Sequence, residues 1–96
     1  MIRLSVLYPA TDDARFDHDY YRDSHGPLAT KSWNPVRVEI DKGVSGPYVA
    51  AVHFVFESAD ALQAAFSSEQ TAAIMADVAN YTDVSPVIQT SEIVES

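Results

Sequence analysis

Apolar and polar positions alternate from the start of the chain. Ile2, Leu4, Val6 and Tyr8 stand against Arg3, Ser5 and Leu7, a period of two that predicts a half-buried strand over residues 2–8. Residues 9–13, Pro-Ala-Thr-Asp-Asp, break it as a loop. Residues 17–25 read as a short helix, with Asp17 as N-cap and Asp19 in the first turn, where the helix dipole favours a carboxylate. Gly26-Pro27 is expected to end that helix, and Pro27 to open a second one over residues 27–33, closed by Asn34-Pro35. Alternation returns over residues 36–41, with Val36, Val38 and Ile40 against Arg37, Glu39 and Asp41. After a turn-rich run over residues 42–47 comes a third strand, Tyr48–Phe56. It sets Ala50, Val52, Phe54 and Phe56 on one face, and Val49, Ala51, His53 and Val55 on the other. Ser58 caps a helix over Ala59–Phe66, whose stripe is Leu62, Ala65 and Phe66. Ser67-x-x-Gln70 has the spacing of a capping box for a further helix ending near residues 78–80. Residues 86–94 read as a last strand.

The order strand, helix, strand, strand, helix, strand is the ferredoxin-like βαββαβ arrangement, an α+β fold with a four-stranded antiparallel sheet and helices on one face. No internal repeat or low-complexity stretch interrupts it. The face away from the helices still carries Leu7, Val49, Ala51 and Val55. An apolar patch of this kind on a small sheet marks an interface. The simplest cover is the same face of a second copy, so a homodimer is expected, with a cavity between two sheets. A monomer whose open face is made tolerable by Arg3, Ser5 and His53 is the competing expectation.

Composition narrows the function classes. The chain has 96 residues, no Cys, 6 Lys+Arg against 14 Asp+Glu and a net charge of −8. That length supports one domain, over residues 1–96. A hydrophobic share of 47% supplies a core and sets aside a disordered chain. A domain near this size buries only roughly 60–65% of its unfolded surface, so association with a second copy would add stability. Six scattered cations cannot make the basic patch that nucleic acid or an anionic membrane needs. No apolar run approaches the roughly 20 residues of a membrane span. Met1 leads directly into a strand-like stretch without a signal-peptide pattern, so a cytoplasmic location is expected. Without Cys there is no disulfide, thiolate nucleophile or Cys-bound zinc or iron–sulfur centre.

The candidates for chemistry are His25, His53, His18, Tyr20, Tyr21, Trp33, Tyr48 and Tyr81. Only imidazole titrates near neutrality unaided, at about pH 6.5. His25 closes the first predicted helix, where the dipole alone explains a histidine. Tyr21 lies four residues earlier on the same face, and a Tyr–His pair offers a proton donor and an acceptor to one small molecule. His53, mid-strand among apolar neighbours, points to the open face. It is either a titratable group in an apolar cavity or a satisfied histidine bonded to nearby backbone or Ser5. His18 reads as surface, Phe16 and Tyr20 as core contacts, and Tyr21 and Trp33 as cavity wall. The expected catalytic set is therefore His25, Tyr21 and His53, within a ligand-binding wall of Trp33, Ser5, Leu7, Ala51 and Val55. No H-x-x-x-H or H-E-x-x-H spacing occurs, so no metal site is expected. There is no G-x-S-x-G elbow, and three Gly cannot make a phosphate loop or dinucleotide fingerprint, so no cofactor is expected.

One stretch resembles a known family. Phe16-Asp-His-Asp-Tyr-Tyr-Arg-Asp-Ser-His-Gly-Pro-Leu28, with Asp17, Tyr20, Tyr21, His25, Pro27 and Leu28 as its core, looks like the signature of EthD-domain proteins. Asp41-Lys-Gly43, Pro47-Tyr-Val-Ala50 and Tyr81-Thr-Asp-Val-Ser-Pro86 support it, and the resemblance runs from Ile2 to about Glu95. It implies a dimeric α+β barrel. The family takes its name from a protein encoded with a cytochrome P-450 system for ethyl tert-butyl ether degradation. Proteins of the same fold include muconolactone-type isomerases, polyketide cyclases or dehydratases, and cofactor-free or haem-degrading monooxygenases. Methylmuconolactone-isomerase-like proteins carry one His after the first helix and another on a central strand, which would match His25 and His53. This chain departs from them in loop lengths and in having no Cys. Fold transfers across such a resemblance better than reaction does.

Three functions follow as expectations. The first is a protein that binds a small hydrophobic or aromatic metabolite in the barrel cavity, with cofactor-independent acid/base chemistry of isomerase, cyclase or dehydratase type at His25. The second is a non-catalytic accessory or ligand-binding protein of an oxidative ether-degradation pathway. The third is a haem-binding barrel with His25 or His53 as axial ligand.

Overall fold

Four strands form one sheet: β1 (Ile2–Pro9), β2 (Arg37–Lys42), β3 (Tyr48–Phe56) and β4 (Val87–Glu92). They lie in the order β2-β3-β1-β4, every pair antiparallel. This is the ferredoxin-like βαββαβ order read from the sequence. The structure, a computed structural model, describes residues 1–94, so Glu95 and Ser96 of the expected domain lie outside the described residues. β2 begins one residue later than the alternation predicts, although Val36 N–H still donates to the Val55 carbonyl at 2.7 Å. The β2–β3 hairpin needs a glycine at Gly43. A Cβ there would strike the Tyr48 carbonyl oxygen, while Gly43 N–H donates to Val49 O at 2.8 Å.

The first helical region departs from its expected form. α1 (His18–Tyr20) starts on Asp17, whose carboxylate accepts from Tyr20 N–H at 3.0 Å. Gly26-Pro27 does not stop it. The chain widens into a π-helical turn, Tyr21–His25, and runs on into α2 (Gly26–Trp33). Pro27 has no N–H for the carbonyl four residues back and its ring crowds that carbonyl. Widening the turn accommodates the proline, and Gly26 N–H bonds instead to Tyr21 O, five residues back. Asn34 closes α2 in the left-handed region, at φ 50°.

α3 (Ala59–Phe66) has the predicted cap, Ser58 Oγ accepting from Ala61 N–H at 3.1 Å. α4 (Gln70–Asp77) continues into a 3-10 turn, Val78–Asn80. Its N-cap position is Glu69, whose side chain makes no capping bond, and the hydroxyl that serves the first turn is that of Ser68, not Ser67: Ser68 Oγ accepts from Gln70 N–H at 3.1 Å. Ser67 still belongs to the end of α3, its N–H bonded to Gln63 O, and so cannot take the extended cap conformation.

All helices pack on one face of the sheet. Leu4, Tyr8, Val52, Phe54 and Phe56 meet Tyr21, Ala29, Trp33, Leu62, Ile74 and Tyr81 in one core. The opposite face carries a polar row, Gln89, Ser5, His53 and Glu39, in register across the four strands. Beside it lie the half-buried Leu7, Val49 and Ala51 and the buried Val55. No helix among the described residues is long and apolar enough to cross a membrane.

Candidate functional site

The π turn decides where His25 goes. It carries Tyr21 and His25 into the interior, 1% and 3% exposed, with ring centroids 5.0 Å apart. His25 is therefore no helix-terminal surface residue but a buried imidazole inside a continuous helical rod. Two other elements close on it. The end of α4 brings Asp77, and the segment after the 3-10 turn brings Tyr81, whose ring centroid lies 4.5 Å from that of His25. Tyr81 is fixed through its backbone. Asp17 N–H donates to its carbonyl at 2.8 Å, and Phe16 pairs with Thr82 as an isolated bridge. Those bonds tie the start of α1 to the segment leading into β4.

A hydrogen-bonded chain results. Asp77 Oδ2 lies 2.9 Å from His25 Nδ1, Tyr81 Oη 3.4 Å from His25 Nε2, and Tyr8 Oη 2.7 Å from Tyr81 Oη. Asp77 Oδ1 accepts from Tyr20 Oη at 2.8 Å and Asn80 Nδ2 at 2.9 Å. A carboxylate only accepts, so the bond to Asp77 fixes the proton of neutral His25 on Nδ1 and leaves the Nε2 lone pair facing Tyr81. The Tyr21 hydroxyl has no hydrogen-bond partner among the described residues and lines the same cavity.

Burial lowers the His25 pKa below its usual 6.5, against the hydrogen bond and charge of Asp77, which pull it up. The imidazole is therefore neutral at pH 7. Burial alone would raise Asp77, but hydrogen bonds from Asn80, His25 and Tyr20 outweigh it and hold the carboxyl below its usual range. Burial pushes Tyr8, Tyr21 and Tyr81 up, so all three phenols stay protonated as donors.

These groups border a cavity of about 60 Å³ between helices and sheet. Leu4, Val6 and Phe54 form its floor and Ala29, Trp33, Ile74 and Val78 its walls, while Phe66, Met75 and Ile88 are partly exposed. Trp33 is held by Nε1–H donating to Thr71 Oγ1 at 2.9 Å. The volume is below the roughly 300–1,000 Å³ of sites for drug-sized ligands. His25 in this arrangement does not fit an axial-ligand role for haem, since Nε2 faces the Tyr81 hydroxyl at 3.4 Å and the cavity is far smaller than a porphyrin. Among the described residues no cluster of three His, Asp or Glu could hold a metal ion.

The structure brings His25, Tyr21 and Trp33 together and separates them from His53. His53 lies on the opposite face of the sheet, where Ser5 Oγ bonds its Nδ1 at 2.8 Å and Asp41 Oδ2 its Nε2 at 3.2 Å. Ser5, Leu7, Ala51 and Val55 share that face by register. The cavity at His25 is thus inside the protomer, not between two sheets. Sequence reasoning did not find Asp77. Its signal was a carboxylate in the last turn of a helix, where the dipole disfavours it.

Comparison with known proteins agrees with this fold. A family model described as EthD domain matches residues 9–85. An EthD-like protein from Ralstonia eutropha JMP134 superimposes with a TM-score of 0.91 at 39% identity, covering 98% of this chain and 92% of the other. An ethyl tert-butyl ether (EthD) family protein from Bacillus halodurans C-125 gives a TM-score of 0.78 at 17% identity, over 98% and 99% of the two chains. A dimeric protein of unknown function and ferredoxin-like fold from Bacteroides fragilis NCTC 9343 gives 0.61 at 12% identity, over 96% and 95%. No curated protein sequence matches the chain. By family match and by structure, the chain belongs to the EthD-domain family.

Proposed function

We propose that the protein binds a small hydrophobic or aromatic metabolite in the cavity beside His25 and performs cofactor-independent acid/base chemistry on it. The observation that carries this reading is the hydrogen-bonded chain from half-buried Asp77 through the buried His25, Tyr81 and Tyr8 at the edge of an apolar cavity. Asp77 orients the ring and would stabilise the imidazolium once it forms. Nε2 takes a proton from a carbon next to a carbonyl, the Tyr81 hydroxyl turning from Nε2 to make way, and Tyr21 donates to the oxygen that becomes an enolate. The proton then returns to the same or another carbon, the net change of an isomerase or the first step of a cyclase. The face bearing His53, Ser5, Leu7, Ala51 and Val55 is where we place a second copy, in keeping with the dimeric relative of the same fold. There His53 helps to close the sheet and does not join the chemistry.

The test is proton exchange. Lactones and cyclic ketones are incubated in deuterium oxide and their α-protons followed by NMR. The protein is expected to accelerate exchange of at least one class, and His25→Ala to reduce that acceleration by about 10²- to 10⁴-fold with the fold intact. Acceleration that survives His25→Ala removes His25 from the mechanism. Ligand binding without exchange in the unaltered protein favours the accessory, non-catalytic role instead.

A further inference from the structure

We infer that the cavity selects uncharged carbonyl compounds and rejects carboxylates. The inference narrows the substrate class of the proposed acid/base function and rests on it. Among the described residues no Lys or Arg lines the cavity. Arg22 is paired with Asp19 and Asp23, and Arg15 donates to the Ala79 carbonyl at 2.9 Å. Arg3 and Arg37 lie on the open face of the sheet by register, and Lys31 and Lys42 are exposed.

The residues with polar side-chain atoms that line the cavity are His25, Trp33, Tyr8, Tyr21 and Tyr81, all neutral at pH 7. The nearest full charge is Asp77, an anion behind the imidazole. A substrate carboxylate would lose its water, meet no cation and sit near a like charge. The chain's net charge of −8 adds to that penalty. A ketone loses far less on entry and gains a phenolic donor.

The same walls suit a charge that is made inside. When the α-proton moves to Nε2, the C–H electron pair becomes the enolate and the imidazole becomes a cation between that enolate and Asp77. The net charge of protein and substrate together does not change, and no oxidant or reductant is needed. Met75, 51% exposed and with three rotatable bonds, is the side chain best able to move aside for the ring of the ligand.

Two probes isolate the effect: 1-phenylpentane-1,4-dione and 4-oxo-4-phenylbutanoate. They share a phenyl ketone and chain, and end in a methyl ketone or a carboxylate. Calorimetric titration at pH 7.5, with the His25 ring signals in NMR locating the bound ligand, is expected to show the diketone binding at least tenfold more tightly. Met75→Lys is expected to tighten the carboxylate at least tenfold. Equal or tighter binding of the carboxylate by the unaltered protein, or no saturable binding of the diketone at millimolar concentration, overturns the inference. Binding and chemistry fail separately. A preferred diketone whose α-protons exchange no faster than in buffer leaves the charge selection standing and removes the acid/base reading. Accelerated exchange with equal affinity for both probes does the reverse.

Discussion

His25 is a base because two opposing forces act on one ring. Burial favours its neutral form, and Asp77 at 2.9 Å favours its charged form while fixing which nitrogen keeps the proton. In Asp77→Asn the burial stays and the attraction goes. The His25 pKa is then expected to fall further, read from the ring protons in an NMR titration; a value unchanged or raised would show that Asp77 does not set it. The pair also dictates an acid sensitivity. His25 has a folded pKa below its unfolded 6.5, so the unfolded chain binds the extra proton first and stability is lost as pH falls below about that value. Asp77 has a folded pKa below its unfolded 3.8, so its contribution is present above that value and lost as pH falls through the folded pKa. Both act in the same direction, and urea midpoints are expected to fall in two steps, one below about pH 6.5 from His25 and one below about pH 3.8 from Asp77. At this scale His25 was legible from its motif, and Tyr21 from its spacing. Asp77 was not, because its role exists only once the end of α4 meets the π turn, 52 residues away in sequence.

The elements whose signals are local were the ones read most closely. β3 and α3 match their predicted bounds, since the alternation in one and the Ser58 cap in the other act over a few residues. Removing that cap in Ser58→Ala is expected to cost about 1 kcal/mol, seen as a lower urea midpoint with an unchanged slope. No loss would mean that packing of Leu62 and Ala65 alone holds the helix. The first helix was misread for the opposite reason. Gly-Pro is a strong local stop signal, but the burial of Tyr21, Ala29 and Trp33 on either side of it favours one rod with a wide turn over two broken pieces. That override is also what moves His25 from a helix end into the interior.

The whole molecule has two unlike faces, and each serves a different purpose. Between helices and sheet lies the cavity. Across the sheet lies a surface with a polar row through its centre and Leu7, Val49 and Ala51 beside it, which we assign to a second copy of the chain. Sedimentation at micromolar concentration is expected to give twice the 10.5 kDa chain mass, and Leu7→Glu to shift it to a single chain. A lone chain in the unaltered protein would return that face to solvent. Periodicity and turn residues determined the order of elements along the chain, and through it the ferredoxin-like class, and also which residues share each face of a strand, because side-chain alternation is a property of the strand itself. Only the tertiary structure decided that His25 and His53 stand on opposite sides of the sheet and that Asp77, Tyr81 and Tyr8 join His25. Those placements depend on how separate elements pack, and contacts between distant segments leave no period in the chain.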